Sequence, residues 1–312
     1  MSKIGATILD YKTQVDAFFD GQDFDGRAGS AFEWVGCLFG CERYDLYDQV
    51  LCFSKGSLTV QRCWCGMVYN AHPPLQKTLD EFYENSKALQ LWSQYKEGSF
   101  EAIRQREKYS LAIEWISNEG LKRILDIGAG NGVFLKLCKE AIPEGVFSGT
   151  EKNPVARSQA NTHGINVVDA SLDELNGSFD LVSFWGVLEH LKDPISALKK
   201  AASLGKRVLV CVPNVDSSVV RYLGEKAFTF CPQHLWYFNQ KTLQRVFNLA
   251  GLVPEGCYSI ESEEIPIKKH LALLDPYRKD VPSWAWEHQS LELSLQGYKI
   301  IMYGSRSGER PT

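Results

Sequence analysis

Arg123–Leu137, RILDIGAGNGVFLKL, is the stretch on which the fold turns. Ile124, Leu125 and Ile127 make an apolar run broken only by Asp126, the pattern of a strand buried on both faces of a parallel sheet. Gly128, Gly130 and Gly132 follow at alternate positions. Glycine adopts positive φ at no steric cost and lets a ligand approach the peptide groups closely. A helix from about Asn131 would point its free N–H groups back into that turn. Strand, glycine turn and helix in this order form the first βα unit of a nucleotide-type α/β domain.

The same alternation continues downstream. Strands are expected at 146–150, 165–168, 179–184 and 207–212, with helices at 131–140, 153–163 and 194–204. Strands alternating with helices of about ten residues imply parallel βαβ units with right-handed crossovers. LVPEGCYSI and GYKIIMYG would then be the sixth and seventh strands, separated by a proline- and tryptophan-containing insertion at 265–296. Glu151 closes the second strand, where a carboxylate can accept bonds from ribose hydroxyls. A glycine turn followed by such an acid suits dinucleotide-binding dehydrogenases as well as other nucleotide-type folds.

Three phrases go further. DIGAGNG resembles the first motif of class I S-adenosylmethionine-dependent methyltransferases. FDLVSFWGVLEHLKDP (Phe179–Pro194) resembles the fourth-strand signature of the group related to ubiquinone biosynthesis, and PQHLWYFNQKTLQRVFNLAGL (Pro232–Leu252) its segment after the fifth strand. The likeness covers about residues 100–305 and implies an α/β, doubly wound, Rossmann-like seven-stranded sheet whose last strand is antiparallel. It implies S-adenosylmethionine as cofactor, with Asp126, Gly128, Ala129, Gly130, Asn131 and Gly132 at its methionine end. Glu151 would hold the ribose, with Lys152 or Asn153 beside it. Ser171 and Leu172 stand where the adenine is usually met; the common residue there is acidic, so Asp169 or Asp173 are alternatives. Trp185 and Gly186 would face the sulfonium, where an aromatic ring favours positive charge.

Methyl transfer mainly requires alignment of nucleophile and methyl and exclusion of water. A hydroxyl or carbon-acid acceptor also needs a base near the methyl. His190 and His234 are the acid–base candidates, since imidazole titrates near neutral pH. Some deoxysugar C-methyltransferases carry Glu-His at the second position; here it is Gln233-His234, and a structural histidine is the alternative.

Cys37–Pro74 differs in texture from the rest. Two apolar runs around Lys55-Gly56-Ser57 read as a β-hairpin, with Cys37 and Cys41 before it and Cys63 and Cys65 late in its second strand. The phrase CWCGMVYNAHPP resembles the end of a small zinc ribbon that opens many bacterial methyltransferases of this group. That implies zinc on Cys37, Cys41, Cys63 and Cys65. A ribbon normally uses two C-x-x-C knuckles, whereas the spacings here are C-x-x-x-C and C-x-C, so ordinary buried cysteines are the alternative.

The expected layout is an N-terminal helix and linker (1–34), a ribbon-like module (35–75), the methyltransferase domain (76–305) and a tail (306–312). Helices over 75–122 carry Tyr83, Trp92, Tyr95 and Tyr109 as candidate pocket aromatics. With 312 residues, a net charge of −4 and a pI near 5.9, no global basic field exists to hold nucleic acid. No apolar stretch approaches the ~20 residues that cross a bilayer, and no secretion signal is legible, so a cytoplasmic protein with no membrane partner and nine reduced cysteines is expected. The function implied is methylation of a small molecule, at oxygen of a sugar, nucleotide-sugar or secondary metabolite. A methyltransferase-like binding or assembly protein and an NAD-dependent oxidoreductase are the competing readings. Oligomeric state is not encoded in any of these features.

Overall fold

A computed structural model describes residues 3–21, 31–41, 49–85, 88–89, 99–260 and 297–308. Helix α1 (Lys3–Asp20) leads into strands β1 (Gln49–Lys55), β2 (Leu58–Cys63) and β3 (Val68–Asn70). The β1–β2 hairpin turns at Gly56-Ser57, where the Asp20 carboxylate accepts the Ser57 N–H at 2.9 Å and thereby docks the end of α1 on the hairpin. Helices α2 (Gln76–Asn85) and α3 (Ser99–Asn118) follow.

The main layer is built from β4 (Arg123–Ile127), α4 (Val133–Ala141), β5 (Val146–Thr150), α5 (Pro154–Thr162), β6 (Asn166–Val168), β7 (Phe179–Trp185), α6 (Pro194–Leu204) and β8 (Gly205–Pro213). After them come α7 (Ser218–Leu223), β9 (Trp236–Tyr237), α8 (Gln240–Leu249), β10 (Leu252–Ile260) and β11 (Lys299–Arg306). Seven strands form one sheet in the order β10-β11-β8-β7-β4-β5-β6. β8, β7, β4, β5 and β6 are parallel, and β11 runs antiparallel to both of its neighbours. This is the Rossmann-like sheet expected, with the last strand reversed.

Alternation along the strands sends side chains to two cores. Ile124, Leu181, Leu209 and Ile301 pack with Ala112 and Ile116 of α3 and Phe134 and Leu135 of α4. Leu125, Ile127, Val182, Phe184 and Val210 pack on the opposite face with Leu198 of α6 and Leu243, Val246 and Phe247 of α8. The second core does not stop at the sheet. It runs on into Phe19 of α1, Phe82 of α2 and Cys37, Cys63, Met67 and Tyr69 of the N-terminal module.

The N-terminal module has a small β-rich sheet of its own, in the order β1-β2-β3-β9. Its last member, β9, comes from the segment after the fifth parallel strand and pairs Tyr69 with Trp236 and Val68 with Tyr237. Helix α4 begins two residues later than expected because its N-cap, Gly132, has φ +75°, outside the right-handed helical region. Residues 22–30 of the expected N-terminal helix and linker (1–34), Trp92, Tyr95 and the 265–296 insertion lie outside the described residues. Among the described residues, no helix is long and apolar enough to cross a membrane.

Candidate cofactor and acid–base site

In open α/β sheets ligands bind beyond the carboxyl ends of the parallel strands. The glycine turn after β4, Glu151 after β5 and the short 3-10 turn Leu188–His190 after β7 all lie on that rim. The three glycines do different work there. A Cβ at Gly128 (φ +67°) would lie 2.6 Å from Val187 Cγ2, and one at Gly132 would lie 2.9 Å from Ala160 Cβ. These two allow close packing of the turn against the β7 exit and α5. Gly130 (φ +57°) has nothing within 4 Å of its would-be Cβ, so its peptide borders open space. An open cradle between two tightly packed glycines fits a ligand that must approach the backbone.

Glu151 is fixed in this cradle. One carboxylate oxygen accepts the Gly130 N–H at 2.8 Å and the other the Asn153 N–H at 2.8 Å. Asn153 also caps α5, accepting from Ala156 N–H at 2.9 Å, and donates to the Tyr83 carbonyl at 3.1 Å. Lys152 points elsewhere and pairs with Asp80 at the surface. Ser171 is turned towards Glu174, whose carboxylate accepts its hydroxyl at 2.8 Å and its N–H at 2.7 Å, capping the turn at Leu172–Glu174. Leu172 is partly buried beside it, and Asp169 pairs with Arg157 at 3.2 Å.

Asp126 is paired in register with Ser183, so both side chains leave the sheet on the α3 and α4 face. The Ser183 hydroxyl donates to Asp126 at 2.7 Å. Burial pushes the Asp126 carboxyl up to about 7, against the lowering effects of Ser183 and Lys108. Lys108, on α3, is buried with its ammonium 5.4 Å from the Trp185 ring centre and 4.8 Å from that of Tyr109. Trp185 itself packs edge-on to Tyr109 at 4.7 Å and against Phe134 at 5.0 Å. Its indole N–H meets no acceptor among the described residues. Gly186, next in the chain, has φ +72° and continues the rim. Lys108 was not legible as a site residue: in RQREKYS it is one charge among several on a helix.

The two histidines meet. Their rings are 4.6 Å apart, and a nitrogen of each lies within 4.8 Å of the other and of a Glu189 carboxylate oxygen. His190 Nδ1 is 2.9 Å from the Gln233 carbonyl and 2.8 Å from the Tyr83 hydroxyl. His234 Nδ1 is 2.7 Å from the Thr229 carbonyl. A carbonyl only accepts, so the Thr229 contact favours hydrogen on His234 Nδ1 and the basic lone pair on its Nε2, whereas His190 Nδ1 faces both a carbonyl and a hydroxyl that can donate or accept. Enclosure by protein lowers His190 to about 4, which keeps it neutral. Tyr83, one of the candidate aromatics, thus belongs to this cluster, while Tyr109 belongs to the Trp185 stack. Gln233, buried, donates to the Tyr11 hydroxyl at 3.3 Å and so brings α1 to the same place.

Cys37, Cys41, Cys63 and Cys65 also converge, despite their irregular spacing. Their sulfurs lie within 4.8 Å of one another, with Cys37 and Cys65 at 3.5 Å. Tetrahedral zinc with Zn–S near 2.3 Å holds sulfurs roughly 3.8 Å apart, so the donor set and spacing fit that ion. Burial raises the Cys37 thiol and brings Cys41 up to about 11. Burial also raises Cys65, but hydrogen bonds from the Met67 backbone and the neighbouring thiols outweigh it and lower this thiol.

Residues 99–255 match the sequence profile of a family described as a methyltransferase domain. The ubiquinone biosynthesis O-methyltransferase of Erwinia tasmaniensis is 32% identical over 122 residues, 35% of this chain and 49% of that protein. That of Aeromonas salmonicida is 32% identical over 133 residues, 38% of this chain and 55% of that protein. The chain therefore spans about half the length of these relatives. Among solved structures, magnesium protoporphyrin IX methyltransferase from Synechocystis with bound S-adenosylhomocysteine superposes with a TM-score of 0.54 at 14% identity. It covers 74% of this chain and 100% of that one. Mitomycin 7-O-methyltransferase superposes with a TM-score of 0.50 at 15% identity, covering 73% of this chain and 60% of that one. At these identities the likeness establishes the shared fold.

Proposed function

This chain belongs to the methyltransferase-domain family, and we propose that it transfers a methyl group from S-adenosylmethionine to a hydroxyl of a small molecule. The observation that carries this reading is the open cradle at Gly130 with the Glu151 carboxylate locked beside it at 2.8 Å. The bound donor would supply an activated methyl on a positively charged sulfur. Glu151 would accept the ribose hydroxyls, the Gly128–Gly132 turn would take the methionine end, and residues 169–173 would border the adenine. Trp185 would lie on the sulfonium side, where an aromatic ring favours positive charge.

On the acceptor side, His234 Nε2 would take the hydroxyl proton as the new O–C bond forms and the donor's C–S bond breaks, releasing neutral S-adenosylhomocysteine. Its Nδ1–H is committed to Thr229, which fixes that tautomer. His190, held neutral, would set the ring of His234 by edge contact rather than exchange protons itself. Two relatives named as O-methyltransferases support oxygen as the target. The ribbon-like start supports a sugar, nucleotide-sugar or secondary metabolite as acceptor. The four converging cysteines would bind one structural Zn²⁺ as thiolates.

The test is label transfer from methyl-labelled donor to a panel of nucleotide-sugars, free sugars and phenols. His234→Gln should lower kcat about 10²- to 10⁴-fold while leaving donor affinity within twofold. Donor binding without transfer to any acceptor, and no effect of the substitution, would favour a binding protein. Protection by NAD but not by S-adenosylhomocysteine would favour an oxidoreductase. Elemental analysis of protein purified without chelator should give one zinc per chain.

A further inference from the structure

The cysteine cluster and the acid–base cluster are mechanically joined. Cys63 and Cys65 form a closed knuckle, with Cys63 N–H donating to the Met67 carbonyl at 2.8 Å and Gly66 N–H to the Cys63 carbonyl at 2.9 Å. The chain leaves that knuckle directly as β3. Cys37 arrives on a strip that donates from Glu33 and Val35 to the carbonyls of Pro73 and Ala71, just beyond β3. The four sulfurs therefore clamp both flanks of 68–73.

On its other edge, β3 holds the segment that carries Gln233 and His234. It pairs with β9 at Trp236 and Tyr237, and Asn70 N–H donates to the Leu235 carbonyl at 3.0 Å. The buried Asn70 side chain donates to the Pro232 carbonyl at 3.3 Å. The same segment is stitched to the β7 exit: Leu235 N–H donates to the Glu189 carbonyl at 2.8 Å and the Trp236 indole to the Leu191 carbonyl at 2.8 Å. Lys192, just beyond, pairs with Glu33 of the cysteine-bearing strip. Cys37, Cys63, Met67, Tyr69, Leu188, Leu235 and Trp236 share one apolar core. The Gly128–Gly132 turn and Glu151 are held mainly by their own strands and helix: Ala129 N–H donates to the Thr150 carbonyl at 2.8 Å, and the Glu151 carboxylate accepts from Gly130 and Asn153.

We propose that Zn²⁺ on Cys37, Cys41, Cys63 and Cys65 positions the acceptor-side wall at 232–237, and with it His234, while leaving the donor site independent. This rests on the zinc reading above. The ion closes the knuckle, the knuckle sets β3, and β3 sets the height and register of β9. Asn70 is the positioning residue at the centre of the relay.

The experiment uses the full chain, as purified and after zinc removal with a strong chelator, read by amide hydrogen exchange and by S-adenosylhomocysteine calorimetry. Zinc removal should speed exchange at least tenfold in peptides covering 63–72 and 231–239. Peptides covering 123–133 should be unchanged, and S-adenosylhomocysteine affinity should stay within twofold. Asn70→Ala should keep one zinc per chain yet loosen 231–239 in the same way, which separates the relay from any folding defect of a cysteine variant. Zinc present but exchange at 231–239 unaltered by its removal would overturn the relay and leave the zinc reading standing. Protein that neither carries zinc nor takes it up would overturn both.

Discussion

Asp126 and His190 oppose each other in their response to pH. Asp126, raised by burial from 3.8 to about 7, binds its proton more tightly in the folded chain. Its contribution to stability is complete below about pH 4 and is lost as pH rises through about 7. His190, lowered from 6.5 to about 4, contributes above pH 6.5 and loses that contribution as pH falls through about 4. Asp126→Asn removes the first and keeps the second. The variant's melting temperature should therefore climb between pH 4 and 7 more steeply than the wild type's, by an amount worth on the order of a few kcal/mol. Parallel thermal profiles across that range would contradict the assignment. Glu151→Gln tests the cradle separately, since it leaves one acceptor where the carboxylate offers two to Gly130 and Asn153. Its loss of a charge-assisted bond, worth roughly 1.5–3 kcal/mol, should weaken S-adenosylhomocysteine binding about ten- to a hundredfold in a thermal-shift titration.

Helix α8 shows how an element carries the site. Asn239 caps it reciprocally with Thr242, each side chain accepting the other's N–H at 2.9 Å, and also donates to Asp216 at 2.9 Å. That cap ends the segment which carries His234 and β9. Asn239→Ala should cost about 1–2 kcal/mol, seen as a lowered denaturation midpoint, whereas Phe247→Ala in the core face of the same helix should cost roughly 3–5 kcal/mol. The parallel strands and most of their helices were legible because short continuous apolar runs alternate with helical stretches of about ten residues. The start of α4 falls later than the sequence pattern implies because polar Asn131 hides the positive φ of Gly132. β9 left no trace in sequence: two residues make no pattern, and its partner β3 lies more than 160 residues earlier. The cysteine cluster was foreshadowed by residue type, while its irregular spacing argued against the convergence that the fold produces through β3.

Across the molecule, one core runs from the parallel sheet through α6 and α8 into the N-terminal module, so the cysteine-bearing strands are a wall of the same body as the nucleotide-type sheet. The opposite core, with α3 and α4, carries Asp126, Lys108 and Trp185 at its edge. The glycine turn lies between the two and touches the β7 exit through Gly128 and Val187. That arrangement brings the glycine turn, Glu151 and the two neighbouring histidines to the same rim of the sheet, where the proposal puts the donor and the acceptor. Lys108, Tyr11 and the role of Gln233 could not be read, because each depends on contacts between segments far apart in the chain. The most direct measurement is isothermal calorimetry of S-adenosylhomocysteine with wild type and Gly130→Leu, a substitution that fills the cradle. One site per chain is expected in the wild type and at least a hundredfold loss of affinity in the variant, with the fold intact by circular dichroism. No binding by the wild type, or equal binding by both, would contradict it.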